Sequence, residues 1–121
     1  MTSVSSKSSE MILRYLEKDP LKNEPDQLVS KVLTLLELIT FKYAAVHGLV
    51  IEFIKQQILD LHSLSTESVM SLTNTFKLIF RQHSQQTRQL LVKELIERIG
   101  SVESAQILTI ILNELSIYLQ N

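Results

Sequence analysis

Cysteine and tryptophan are absent from the chain, and two glycines and two prolines are all that punctuate its 121 residues. Without cysteine there is no disulfide framework, no thiolate metal site and no cysteine nucleophile. So few turn residues disfavour sandwiches, barrels and phosphate-cradling loops, and they favour long helices joined by short corners. Charge of one sign is lacking too: 12 basic residues stand against 13 acidic ones, for a net charge of -1. That balance excludes a polycationic nucleic-acid binder, and 45% hydrophobic residues exclude wholesale disorder. No apolar run is long enough for a membrane span, because Glu37, Lys42, Glu52, Lys55 and Glu114 interrupt them, so a soluble protein is expected. The first nine residues are Ser-rich, with one lysine and no apolar stretch. They read as a disordered tail rather than a secretory signal, which makes the cytoplasm or the nucleus the expected compartment.

What remains is helical periodicity, and the fold class it predicts is all-α. Residues 10–25 read as a short amphipathic helix carrying Met11, Ile12, Tyr15 and Leu16, followed by a loop that holds both prolines. Residues 26–121 read as one helical domain. Asp26 is placed to cap a long helix running to about Ala45, apolar on so many sides that it must be central. A corner at His47 and Gly48 leads to a third helix ending near His62. Ser65 is placed to cap the fourth, with Leu64 and Val69 as a hydrophobic staple and Val69, Leu72, Phe76, Ile79 and Phe80 as its buried face. Ser84 would cap a fifth helix, inward at Leu91, Leu95 and Ile99, with Gly100 stopping it. Ser101 would start a sixth.

The chain also echoes itself. STESVMSLT from Ser65 and SVESAQILT from Ser101 coincide at Ser, Glu, Ser, Leu and Thr with an offset of 36. A bland cause is available, since a serine cap followed by glutamate opens many helices. The pair formed by helices two and three fills a similar length, so the chain reads as hairpin, hairpin, single helix. In this period and pattern residues 26–120 resemble the HEAT and armadillo-like class of stacked helical hairpins, which implies five or six antiparallel helices in a HEAT-like stack. The proline kink and the turn Asp and Arg typical of HEAT units are missing, and an up-and-down helical bundle is the alternative fold.

Chemistry is hard to find. Of the three histidines, His47, His62 and His83, no two are three or four residues apart, so no helical metal pair forms. His62 and His83 fall at helix ends, where histidine complements the dipole. Glu94 and Glu97 share a helix with Lys93 and Arg98, as on a solvated face. No GxSxG or SxxK occurs. No catalytic, cofactor or metal residue is therefore nominated, and no enzyme is expected. A mild basic bias between residues 77 and 98 names Lys77, Arg81 and Arg88 as candidate phosphate contacts, although no tyrosine or tryptophan is interleaved there for base stacking.

The last helix points to a function class. Ala105, Leu108, Leu112, Leu115 and Leu119 make one stripe, while Ile107, Ile110, Ile111, Ile117 and Tyr118 cover much of the rest. Leaving such side chains wet forfeits on the order of 1.5–3 kcal/mol each relative to burial. With only two residues following Leu119 to cover a second face, the expectation is a noncatalytic helical adaptor or scaffold that docks another protein or a second copy of itself. Its expected contacts are Ile107, Ile111, Ile117 and Tyr118. The alternative is a nucleic-acid-associated accessory subunit using the basic face.

Overall fold

The computed structural model describes residues 6–16, 18, 21, 24–82 and 85–120. Those residues form six α-helices and no strand: α1 (Ser6–Leu16), α2 (Asp26–Lys42), α3 (His47–Phe53), α4 (Thr66–Gln82), α5 (Gln85–Arg98) and α6 (Ala105–Gln120). None is long and apolar enough to cross a membrane. The first helix starts at Ser6, four residues inside the stretch expected to be a tail. It turns Leu13 into the core and leaves Met11 and Tyr15 exposed.

Boundaries follow local chemistry. Pro25, extended at φ -60 and ψ 150, holds the capping position of α2, and Asp26 is the first helical residue, its charge beside the positive end of the helix dipole. That helix stops at Lys42, because Tyr43 is extended; a single 3-10 turn, Ala44–Val46, then turns the chain into α3. His47 is buried there with its Nε2 2.6 Å from the carbonyl of Thr40. A carbonyl can only accept, so Nε2 carries the proton and ties the start of α3 to the last turn of α2. Beyond Phe53 the helix widens into a π turn, Ile54–Ile58, and ends well before His62.

Two serines set the later helices. The Ser65 hydroxyl accepts the Ser68 N–H at 3.2 Å and caps α4 as expected. The cap of α6 is Ser104, accepting the Ile107 N–H at 3.3 Å, and not Ser101, which closes a 3-10 turn after α5. Gly100 sits in that turn without a positive φ, so the chain does not use the left-handed glycine cap the sequence suggested. His83 and Ser84 lie outside the described residues.

Helices two apart in the chain make the main packing contacts. The most extensive packing joins α2 to α4, the next α4 to α6. Ser30 donates to Glu67 at 3.2 Å, Thr34 meets Ser71 at 3.5 Å and Asn74 donates to Glu37 at 3.1 Å, each joining residues about 37 apart in sequence. Both partners advance together, so α2 and α4 run parallel, brought close by small side chains along the seam. Between α4 and α6 the same sense appears: Gln106 binds the backbone of Leu64, and the rings of Phe80 and Tyr118 meet one end further on. Lys55–Glu94 and Arg98–Asp60 make the region following α3 parallel to α5 in turn. By contrast α5 runs against α6, Gln85 and Arg88 near the start of one lining a hollow with Tyr118 and Leu119 near the end of the other, while α1 packs chiefly on α3 and the 3-10 turn before it. The described residues thus form two sets of opposite sense, α2, α4 and α6 in one and α5 with the segment after α3 in the other.

Between the sets lies the core, in which Phe53, Phe76, Leu33, Leu36, Leu72 and Ile79 are completely covered. Leu91 and Leu95 carry the inward face of α5, as predicted. Buried threonines are satisfied locally: Thr40 donates to the Leu36 carbonyl at 2.7 Å and Thr75 to that of Ser71 at 2.8 Å.

Candidate functional site

Because α6 runs alongside α4 at the edge of its set, one side of it is built into the core and the other is open. Ile107, Ile110, Ile111 and Leu115 are buried against the domain, whereas Leu112 is 48% and Leu119 75% exposed. This cuts across the two stripes read from the sequence, since Leu115 of one is buried together with Ile107, Ile110 and Ile111 of the other. Ile107 and Ile111, expected on an outward face, are among the most deeply buried side chains and are not available to a partner. Ile117 is 42% exposed, and Tyr118 is half-buried with its ring tilted against Phe80, centroids 5.9 Å apart. The outward apolar face is thus made by Leu112 and Leu119, seven residues or two turns apart, while Ile117 falls on the flank toward α4 and Tyr118 at the margin. Leu112 and Leu119 belong to the stripe that excludes the expected contacts, because both sides of the helix are apolar and periodicity gives no sign to either.

The opposite flank of α6 forms a groove with α4 of about 680 Å³, bordered by Val69, Thr73, Lys77, Asn113, Glu114 and Ile117. Within it Glu114 is only 5% exposed. Burial pushes its carboxyl above the usual carboxylate range, while the positive charges of Lys77 and Arg81 pull the other way. No sequence pattern singled Glu114 out, because a lone glutamate between Asn113 and Leu115 looks like a solvated position until α4 is placed beside it.

The three candidate phosphate contacts do not form one site. Lys77 and Arg81 line a groove between α2 and α4, together with Leu38 and Phe41. Arg88 lines a different hollow, with Gln85, Tyr118 and Leu119. His47 is locked in the core and His62 is exposed, its Nδ1 2.7 Å from a Glu103 carboxylate oxygen. Among the described residues no three His, Asp or Glu side chains are gathered to hold a metal ion.

A second ionic cluster is structural in its placement. Lys55 reaches Glu52 and Glu94, both at 3.2 Å, and Arg98 donates to the Lys55 carbonyl at 2.7 Å and to Asp60 at 2.9 Å. Partial burial alone would lower the Lys55 pKa, but the hydrogen bonds it donates to the two glutamates, together with their negative charge, outweigh it and hold the ammonium above its ordinary value. The cluster fastens α5 to the segment after α3. In comparison with known proteins the chain matches no protein-family model, no curated protein and no solved structure.

Proposed function

We propose that the protein is a noncatalytic helical adaptor that works by surface complementarity, using the outward face of α6 to dock another protein or a second copy of itself in the cytoplasm or nucleus. The observation that carries this reading is the exposure of Leu112 and Leu119 on one side of α6, at 48% and 75%. Covering a half-exposed leucine is worth on the order of 1 kcal/mol, so a partner that buries both gains a useful share of a micromolar affinity. The rigid parallel arrangement of α2, α4 and α6 supports a HEAT-like interpretation. In it each of these helices offers the next the same kind of flank, and the outer flank of α6 is the open end of the series.

The test compares the wild-type chain with the Leu112→Asp, Leu119→Asp double variant. Both substitutions lie on exposed positions, so circular dichroism should be unchanged. Light scattering over a concentration series reads self-association, and quantitative affinity capture from lysate reads docking of other proteins. Loss of the wild-type assembly or of specific captured proteins in the variant supports the reading. A monomer at high micromolar concentration together with identical capture by both chains overturns it.

A further inference from the structure

A second surface, on the far side of α4 from the α6 edge, has a chemistry of its own. The C-terminal halves of α2 and α4 enclose a groove of about 400 Å³ that exposes Leu38 (52%) and Phe41 (65%) beside Leu78. Leu38 also borders the hollow next to α1, where Ile12 and Lys42 lie, so the apolar surface continues from α4 across α2 to α1. Three cations stand around it: Lys77 and Arg81 on α4, and Lys42 at the end of α2. None of the three makes a hydrogen bond or ion pair among the described residues, although Lys77 and Arg81 feel the Glu114 carboxyl across the neighbouring groove. The groove's one acid, Glu37, is held by the Asn74 amide at 3.1 Å. The result is an apolar centre with a cationic rim on a chain whose net charge is -1.

We propose that this groove docks an acidic amphipathic segment of another protein, its apolar side chains seated on Leu38 and Phe41 and its carboxylates paired with Lys42, Lys77 and Arg81. Charge complementarity selects the acidic partner and steers its approach, while the aromatic and aliphatic centre supplies the anchor. A nucleic acid is disfavoured by the same geometry, because a phosphate backbone would engage the rim and leave Leu38 and Phe41 wet. The surface is separate from the α6 face, so the two stand or fall independently.

The full chain, immobilised, is used to select from a displayed library of random peptides of about sixteen residues, enough for roughly four helical turns. The expected winners combine Leu, Ile or Phe at helical spacing with a surplus of Asp and Glu. Their affinity should fall about tenfold or more on Phe41→Ser, and likewise on the Lys77→Glu, Arg81→Glu variant. A peptide whose acids are changed to lysine should recover binding on that charge-reversed variant. Circular dichroism and thermal melting check that both variants remain folded, as the exposure of Phe41 and Arg81 and the partial exposure of Lys77 predict. Winners without acidic surplus, no winners above a blank surface, or winners indifferent to both variants overturn the proposal. So does single-stranded DNA that binds the wild type, is lost on the charge-reversed variant and is retained on Phe41→Ser.

Discussion

Ser65 and Ser104 do the same work 39 residues apart: each hydroxyl accepts the backbone N–H three residues on, at 3.2 and 3.3 Å, and each opens a helix of the same parallel set. Burial follows the same step, with Ser68 and Ile107, Ser71 and Ile110, Leu72 and Ile111, Thr75 and Glu114, and Phe76 and Leu115 all covered in pairs. The sequence echo paired Ser65 with Ser101 instead, three residues early, because it matched letters rather than faces. Replacing Ser65 or Ser104 by alanine should each cost about 1 kcal/mol, and Ser101→Ala less than about 0.5 kcal/mol. Urea denaturation distinguishes them, and an equal cost at Ser101 would restore the earlier register.

The two faces of α6 should separate stability from docking. Ile107 and Ile111 are completely buried, so truncating either to alanine removes core atoms and leaves a cavity, at a cost of about 2–5 kcal/mol. Leu112→Ser and Leu119→Ser remove mostly wet surface, and each should stay within about 0.5 kcal/mol of wild type. Denaturant midpoints measured on the four variants check this, and similar losses at inner and outer positions would contradict the assignment of faces.

Much of the fold is legible in the residues, and the limits of that legibility have physical causes. The 3.6-residue period places all six helices and the inward faces of α4 and α5, since Leu72, Phe76 and Ile79, and Leu91 and Leu95, each make a single stripe. Where a helix is apolar on two sides, as in α6, the period gives two equivalent answers, and only the position of α4 chooses Ile107 and Ile111 over Leu112 and Leu119. Partner choice is equally silent in a helical pattern. The α2–α4 seam is made of Ser30, Thr34 and Ser71, side chains that look like solvent-facing positions and instead permit close approach. The groove cations were visible as a bias, but not their neighbours: Lys77 and Arg81 meet Leu38 and Phe41 only after two helices far apart in sequence are laid side by side.

Glu114 should make stability depend on pH in an unusual direction for a carboxylate. Burial raises its folded pKa above the unfolded value, so the unfolded chain releases this proton more readily than the folded one. Its contribution therefore favours folding below the ordinary carboxylate range and is lost as pH rises through that range to the elevated folded pKa. Glu114→Gln removes the ionisation while keeping the shape. The variant should melt at a higher temperature than wild type at neutral pH, and the difference should shrink as pH falls toward about 4. Melting curves at both pH values test this, and a variant destabilised at neutral pH would mean that the charge on Glu114 is held favourably by Lys77 and Arg81.

Arg98 is the fastening of α5, and its loss should loosen that helix before any other. One guanidinium donates to the Lys55 carbonyl at 2.7 Å and to Asp60 at 2.9 Å, spanning from the end of α5 to the segment that follows α3. The side chain remains partly exposed, so the ionic share is screened; the charged hydrogen bond to the carbonyl is the larger part. Arg98→Ala should cost about 1–2 kcal/mol overall. More tellingly, amide exchange should accelerate first over residues 85–98, because α5 is anchored mainly by Leu91, Leu95 and this cluster, while α2 and α4 keep their extensive mutual packing. Asp60→Asn should produce a smaller effect in the same helix, since it leaves the carbonyl contact in place. Hydrogen exchange read by mass spectrometry separates the cases: acceleration spread evenly over all six helices would mean that α5 unfolds only with the whole domain.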